Sequence, residues 1–122
     1  MDKVINYKDL LVWQKAHSLV LHIYKLTKQF QMDEKYGIVQ QLRRSAASVS
    51  TNIVEGFGRF SRKEYIQFLY VCRASLVETD YHLFLAKDLG YVGQDVYKKL
   101  KELIDEIGRM NNELIRALKS RG

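Results

Sequence analysis

Not one of the 122 residues is proline. At the ordinary usage of about 5%, a chain of this length carries about six. Proline interrupts helix interiors and is favoured in turns. Its absence, with only seven glycines, predicts long helices joined by few, short loops. Apolar residues spaced alternately three and four apart, the period of a helix face, support the same reading along the chain.

The first helix is predicted over residues 9–30, with Asp9 as N-cap. Its core stripe reads Trp13, Ala16, Val20, Ile23, Thr27 and Phe30, beside a second row of Val12, Leu19 and Leu26. A loop over 31–34 ends at a second cap, Asp33. The second helix follows over 34–57, with Leu42, Ala46, Val49, Ile53 and Gly56 inward. Its small neighbours Ser45, Ala47, Ser48 and Ser50 predict close approach of another helix, making it the most enclosed element. Gly56-Phe57-Gly58 breaks it. Ser61-Arg62-Lys63-Glu64 is a capping box that opens a third helix over 61–89. Its stripe is Tyr65, Leu69, Cys72, Leu76, Thr79, Leu83 and Ala86, its second row Phe68, Ser75, His82 and Leu89, and its stop Gly90. Asp95 caps a fourth helix over 95–119, with Val96, Leu100, Leu103, Ile107, Met110 and Leu114 as seam and Ile104, Ile115 and Leu118 beside it. The fold class is therefore all-α: an antiparallel up-down-up-down four-helix bundle, one domain spanning 1–122. Paired apolar rows fit either a broad core face or a second surface buried between subunits.

A hydrophobic share of 47% and a charged share of 28% suit a folded globular chain rather than a disordered one. No apolar run reaches the ~18 residues of a membrane span. The opening residues Met1–Asp9 lack the apolar core of a secretion signal. Cys72, the one cysteine, has no internal disulfide partner. A cytoplasmic protein away from membranes is the expectation.

Catalytic constellations are not apparent. Di-iron bundles use Glu-x-x-His pairs, and none occurs; Glu78 and His82 are four apart. His17 and His22 point in different directions on a helix, and no Cys-x-x-Cys suggests zinc. Cys72 falls on a core stripe, where a lone cysteine acts as a small hydrophobe. Gly56-x-Gly58 follows a helix and lacks the later glycine of a phosphate loop. The expectation is a non-enzymatic protein with no metal and no cofactor. A metal-dependent bundle enzyme is the least supported reading.

Charge says more. Twenty bases against fourteen acids leave +6, and the pI is near 9.4. Residues 41–63 carry Arg43, Arg44, Arg59, Arg62 and Lys63 against Glu55 alone. Arg59 complements a helix C-terminus, whereas Arg62 and Lys63 oppose the dipole at a helix start. That mild cost suggests phosphate contact by Arg59, Arg62 and Lys63, with Arg43 and Arg44 as further candidate contacts. Arg43 and Arg44 fit two states, solvated or paired with Glu55 or Glu78. Asn52, next to Ile53, is placed to bond across helices and set register.

Several ordered motifs carry a resemblance. Val12-Trp13-Gln14-Lys15-Ala16 opens the first helix. Tyr36-Gly37-Ile38 and Gln41-Leu42-Arg43-Arg44-Ser45-Ala46 open the second, and Asn52-Ile53-Val54-Glu55-Gly56-Phe57-Gly58-Arg59 closes it. Ser61-x-Lys63-Glu64-Tyr65 and Leu85-Ala86-x-x-Leu89-Gly90-Tyr91 bound the third. Over residues 8 to 92 the chain resembles the bacterial four-helix-bundle family encoded within intervening sequences of 23S rRNA genes. Trp13, Asn52, Glu55, Gly56 and Gly58 belong to its structural motif. More distantly, it is similar to the accessory protein of diversity-generating retroelements, a basic pentameric barrel that binds nucleic acid and a reverse transcriptase. The resemblance implies a ring-shaped homopentamer with no established enzyme activity. Its members often carry proline where this chain has Gln31 and Ser50 or Thr51, which implies a straighter second helix here. The partners expected are therefore further copies of the chain, RNA or DNA, and, on the alternative reading of a protein-interaction scaffold, another protein.

Overall fold

The computed structural model describes residues 6–31 and 35–121. Four helices carry the fold: α1 (Leu11–Thr27), α2 (Gln40–Phe57), α3 (Arg62–Asp88) and α4 (Gln94–Ser120). A 3₁₀ turn, Tyr7–Asp9, precedes α1, and a wide helical turn, Lys35–Val39, leads into α2. No strand occurs among the described residues. Each helix packs on the next, and α4 closes against α1, so α1 and α3 lie on a diagonal. The α2–α3 contact is the most extensive.

Helix ends follow local chemistry, and four differ from expectation. Asp9 does not cap α1. Its carboxylate instead accepts the Asn6 N–H at 3.3 Å, while Asn6 Oδ1 accepts the Lys8 N–H at 2.9 Å. This reciprocal cap consumes Asp9 in the 3₁₀ turn, and α1 starts two residues later. It ends at Thr27 rather than residue 30, yet Phe30 stays buried and stacks on Tyr91 at 5.2 Å. Regular α2 begins at Gln40 rather than 34, because the preceding turn leaves helical geometry at Gly37 (φ −103°, ψ −107°). The expected cap Asp33 lies outside the described residues. Asp95 sits inside the first turn of α4, where it favours the dipole, and Gly93 occupies the cap position.

The third helix starts and stops where its residues dictate. Ser61 Oγ accepts the Glu64 N–H at 3.3 Å. At the other end Gly90 adopts φ +86°, a left-handed conformation that glycine reaches without a Cβ clash. The Tyr91 N–H then reaches Ala86 O at 2.9 Å and the Gly90 N–H reaches Lys87 O at 3.0 Å, the two bonds of a Schellman motif.

Inward stripes held for α2 and α3: Leu42, Ala46, Val49, Ile53 and Gly56, and Leu69, Cys72, Leu76, Thr79, Leu83 and Ala86, are buried. Tyr65 is half-buried. In α1 the face turns toward Val12 and Leu19, leaving Trp13 and Val20 half-buried. In α4 the line shifts to Leu100, Ile104, Ile107, Asn111, Ile115 and Leu118; Leu103, Met110 and Leu114 flank it, and Val96 is 43% exposed. Periodicity marks the width of an apolar stripe, but the neighbouring helices choose which residues within it point at the axis.

Small residues in α2 do bring α3 close. A Cβ on Gly56 would lie 2.8 Å from Tyr65 Cδ1 and 3.1 Å from Tyr65 O. Ser48 and Ser75 hydroxyls bond across the same interface at 2.7 Å. Asn52 does not cross it. Its Nδ2 donates to Ser48 O at 2.8 Å and Ser48 Oγ at 3.0 Å, so it braces that serine from within α2. A different asparagine bonds between helices: Asn111 of α4 is fully buried and donates to Leu69 O of α3 at 3.0 Å.

Candidate nucleic-acid interface

The five basic residues singled out from sequence are divided by the fold. Arg43 leans from α2 onto α1: Nε donates to Thr27 Oγ1 at 2.8 Å, Nη2 to Tyr24 O at 3.4 Å, and the guanidinium lies 4.6 Å from the Tyr24 ring centroid. Arg44 crosses to α3, where it pairs with Glu78 and also donates to Gln41 Oε1 at 2.9 Å. Burial alone would raise the Glu78 carboxyl, but hydrogen bonds from Arg44 and His82 hold it below its ordinary value. Arg59 lies 3.7 Å from Glu55 and 4.6 Å from the Phe68 ring. These three arginines are tied to their own subunit.

Arg62 and Lys63 are not tied. Both are exposed on the first turn of α3, and neither has an ion pair or hydrogen bond among the described residues. In an up-down bundle the start of α3 shares one end of the molecule with the end of α4. That end brings in bases the sequence did not group with them: Arg73 on α3 and Arg116 and Lys119 on α4, all exposed. Residues 64–90 are acidic in sum, which hid Arg73 from a count by segment. The spacing of Tyr70 and Arg73, and of Arg116 and Lys119, three apart and thus on one helix face, was the available signal.

Remaining titratable groups are structural in their surroundings. Burial pushes the Cys72 thiol up to about 12, so it carries little thiolate at neutral pH. Lys101 bonds Asp105 and Asp80, each at 2.9 Å, and the two carboxylates raise it above the ordinary lysine value. His17 stacks on Trp13 at 4.8 Å. Among the described residues no three His, Cys, Asp or Glu side chains group to hold a metal, and no helix is long and apolar enough to cross a membrane.

A second surface lies on the outward side of α3. Tyr70, Ala74, Val77, Tyr81 and Phe84 repeat the four-three spacing of a core stripe. Val77 is 66% exposed, Tyr81 58% and Phe84 43%. This is not the expected second row, in which Ser75 is buried, Phe68 and His82 are half-buried and Leu89 is exposed. On α1, diagonally opposite, Leu21 is 57% exposed and Tyr24 40%.

Among solved structures, the chain is similar to a Bacteroides thetaiotaomicron protein of unknown function from the S23 ribosomal protein family. The two are 25% identical, the match covers 87% of this chain and 96% of that one, and the TM-score is 0.81. No curated protein matches the chain. The family model for the 23S rRNA-intervening sequence protein matches residues 8–113, from the 3₁₀ turn into the last third of α4. The chain belongs to the 23S rRNA-intervening sequence protein family.

Proposed function

We propose that this chain is a non-catalytic, cytoplasmic subunit of a ring-shaped homopentamer that associates with RNA or DNA through phosphate contacts. The observation that carries this reading is the pair Arg62 and Lys63, two exposed cations on the first turn of α3 with no ion pair or hydrogen bond among the described residues. There they oppose the helix dipole, and an arriving phosphate would offset that cost. A ring would multiply the field of a subunit whose net charge is +6. Arg43, Arg44 and Arg59, already engaged within the subunit, become secondary contacts. The test is equilibrium binding of labelled RNA and DNA at low and moderate salt. Binding that weakens steeply with salt is expected; no binding at low salt, or binding indifferent to salt, overturns the reading.

Ring assembly draws support from the unlike apolar faces on α1 and α3. Two different patches on opposite sides of a subunit suit head-to-tail association, which closes into a ring when the rotation allows. The same outward face of α3 favours the second reading, a protein-interaction scaffold with no nucleic-acid role. Capture from a nuclease-treated lysate separates the two: partners that survive nuclease favour the scaffold.

A further inference from the structure

A cleft of about 330 Å³ runs between the first half of α3 and the last half of α4, lined by Tyr70, Arg73, Asn112, Ile115, Arg116 and Lys119. Half of its lining is cationic and none is acidic. Several cations elsewhere pair with carboxylates: Lys15 with Glu106, Arg44 with Glu78, Lys101 with Asp80 and Asp105. Arg73, Arg116 and Lys119 have no carboxylate partner among the described residues.

Like charges crowded in one cleft repel, and two neutral groups, Tyr70 and Asn112, hold Arg73 and Lys119 there. The Tyr70 ring lies 4.9 Å from the Arg73 guanidinium and 5.3 Å from the Lys119 ammonium. An aromatic face attracts a cation without neutralising it. Asn112 Oδ1 accepts from Arg73 Nη1 at 3.2 Å, which orients the guanidinium and leaves its other N–H groups free to donate. The cleft therefore keeps three positive charges without a carboxylate, Arg73 and Lys119 positioned by Tyr70 and Arg116 lining the groove beside them. Its size takes in a phosphate with its sugar, a fit that suits a flexible single strand better than the stiff backbone of a duplex.

We infer that this cleft is a phosphodiester subsite for single-stranded nucleic acid, in which Arg73, Arg116 and Lys119 hold a backbone phosphate. The strand continues along α3 toward Lys63, seven residues before Tyr70 and so on the same face, about 10 Å away. This inference rests on the nucleic-acid reading above and gives that reading its location.

The test uses the full chain, labelled oligouridylate, its deoxy counterpart and a duplex of matching length. The cleft variant R73Q/R116Q/K119Q is compared with a distal variant of equal charge loss, K25Q/K28Q/K99Q, whose lysines are also exposed. The cleft variant should lose at least about tenfold in affinity for single strands, and its log–log salt slope should fall by about 2, against less than about threefold loss for the distal variant. Equal losses in the two variants overturn the cleft while the wider nucleic-acid reading stands. Absence of wild-type binding to any of the three probes overturns both. A duplex bound as tightly as the single strand overturns the single-strand assignment. RNA and DNA bound alike point to phosphate alone, and a preference for RNA adds the ribose hydroxyl; either result supports the cleft if the cleft variant abolishes it. Circular dichroism confirms folding, and if the triple variant is not helical, R116Q and K119Q singly should each lower the slope by about 0.7.

Discussion

α3 and α4 are equally long, 27 residues each, and pack side by side, yet they distribute apolar residues differently. α4 gathers its large ones on and beside a single face, and the rest of its surface is mostly charged: Lys98, Lys99, Glu102, Asp105, Arg109, Glu113 and Arg116 are all exposed. α3 buries one stripe and presents another, centred on Val77, Tyr81 and Phe84. One helix with a single apolar face is satisfied by the subunit it belongs to. One with two apolar faces is satisfied on one side only.

The largest expected effect tests the second face directly. V77D/Y81D should convert the wild-type assembly into subunits of 14.3 kDa in light scattering, whereas R109E on the outward side of α4 should leave the mass unchanged. A wild-type mass already at the single-subunit value breaks the comparison outright.

Next is the contact between the two helices. Asn111 is buried in the α4 seam and donates to Leu69 O, and its own Oδ1 has no hydrogen-bond partner among the described residues. Asn111→Asp would place a carboxylate against a carbonyl oxygen, at a cost of about 3 kcal/mol or more. Burial raises a carboxyl pKa, so the variant should regain stability as pH falls and the protonated acid can donate to Leu69 O. Thermal melts across pH check this sign.

Two glycines sharpen the contrast between the partners that flank α3. Gly56 on α2 is pressed against Tyr65 and Phe68, and Gly56→Ala should destabilise by about 1–2 kcal/mol. On Gly108 of α4 a Cβ would meet only Leu76 Cδ2, at 3.5 Å. Gly108→Ala should stabilise by up to about 1 kcal/mol through helix propensity. Denaturant midpoints of the two variants should therefore move in opposite directions.

The smallest effect concerns the Arg44–Glu78 pair between α2 and α3. The folded Glu78 carboxyl lies below its ordinary 4.5. Its stabilisation is therefore complete above that value and is lost as pH falls through the folded pKa. Both partners are well exposed, so Glu78→Gln should cost about 0.5 kcal/mol at neutral pH. The difference from wild type should vanish in strong acid.

Much of the fold was legible along the chain because helix signals are local. The Ser61 cap and the Gly90 stop each depend on residues within a few positions, and both stand where the sequence places them. The Asp9 and Asp95 caps differ because the Asn6 N–H lies within reach of Asp9 and because α4 begins one residue earlier, at Gln94. The α1 seam kept Ala16, Ile23, Thr27 and Phe30 but gave up Trp13 and Val20 to Val12 and Leu19, and the α4 seam was right in period and rotated in direction, since two parallel apolar rows leave the inward direction to whichever helices lie alongside. The candidate site was only half legible. Arg62 and Lys63 were visible as a dense basic run, but Arg73 stands more than forty residues from Arg116 and Lys119 in sequence and meets them only because α3 and α4 run side by side.

From the residues alone came four proline-free amphipathic segments, their short connections, the basic excess and the family to which the chain belongs. Tertiary structure decided which arginines are spent inside the subunit, which apolar stripe of α3 faces outward, and where three cations gather around Tyr70. The reason is range. Backbone propensity and capping act across one or two turns, whereas charge pairing and burial depend on what another helix brings within a few ångströms.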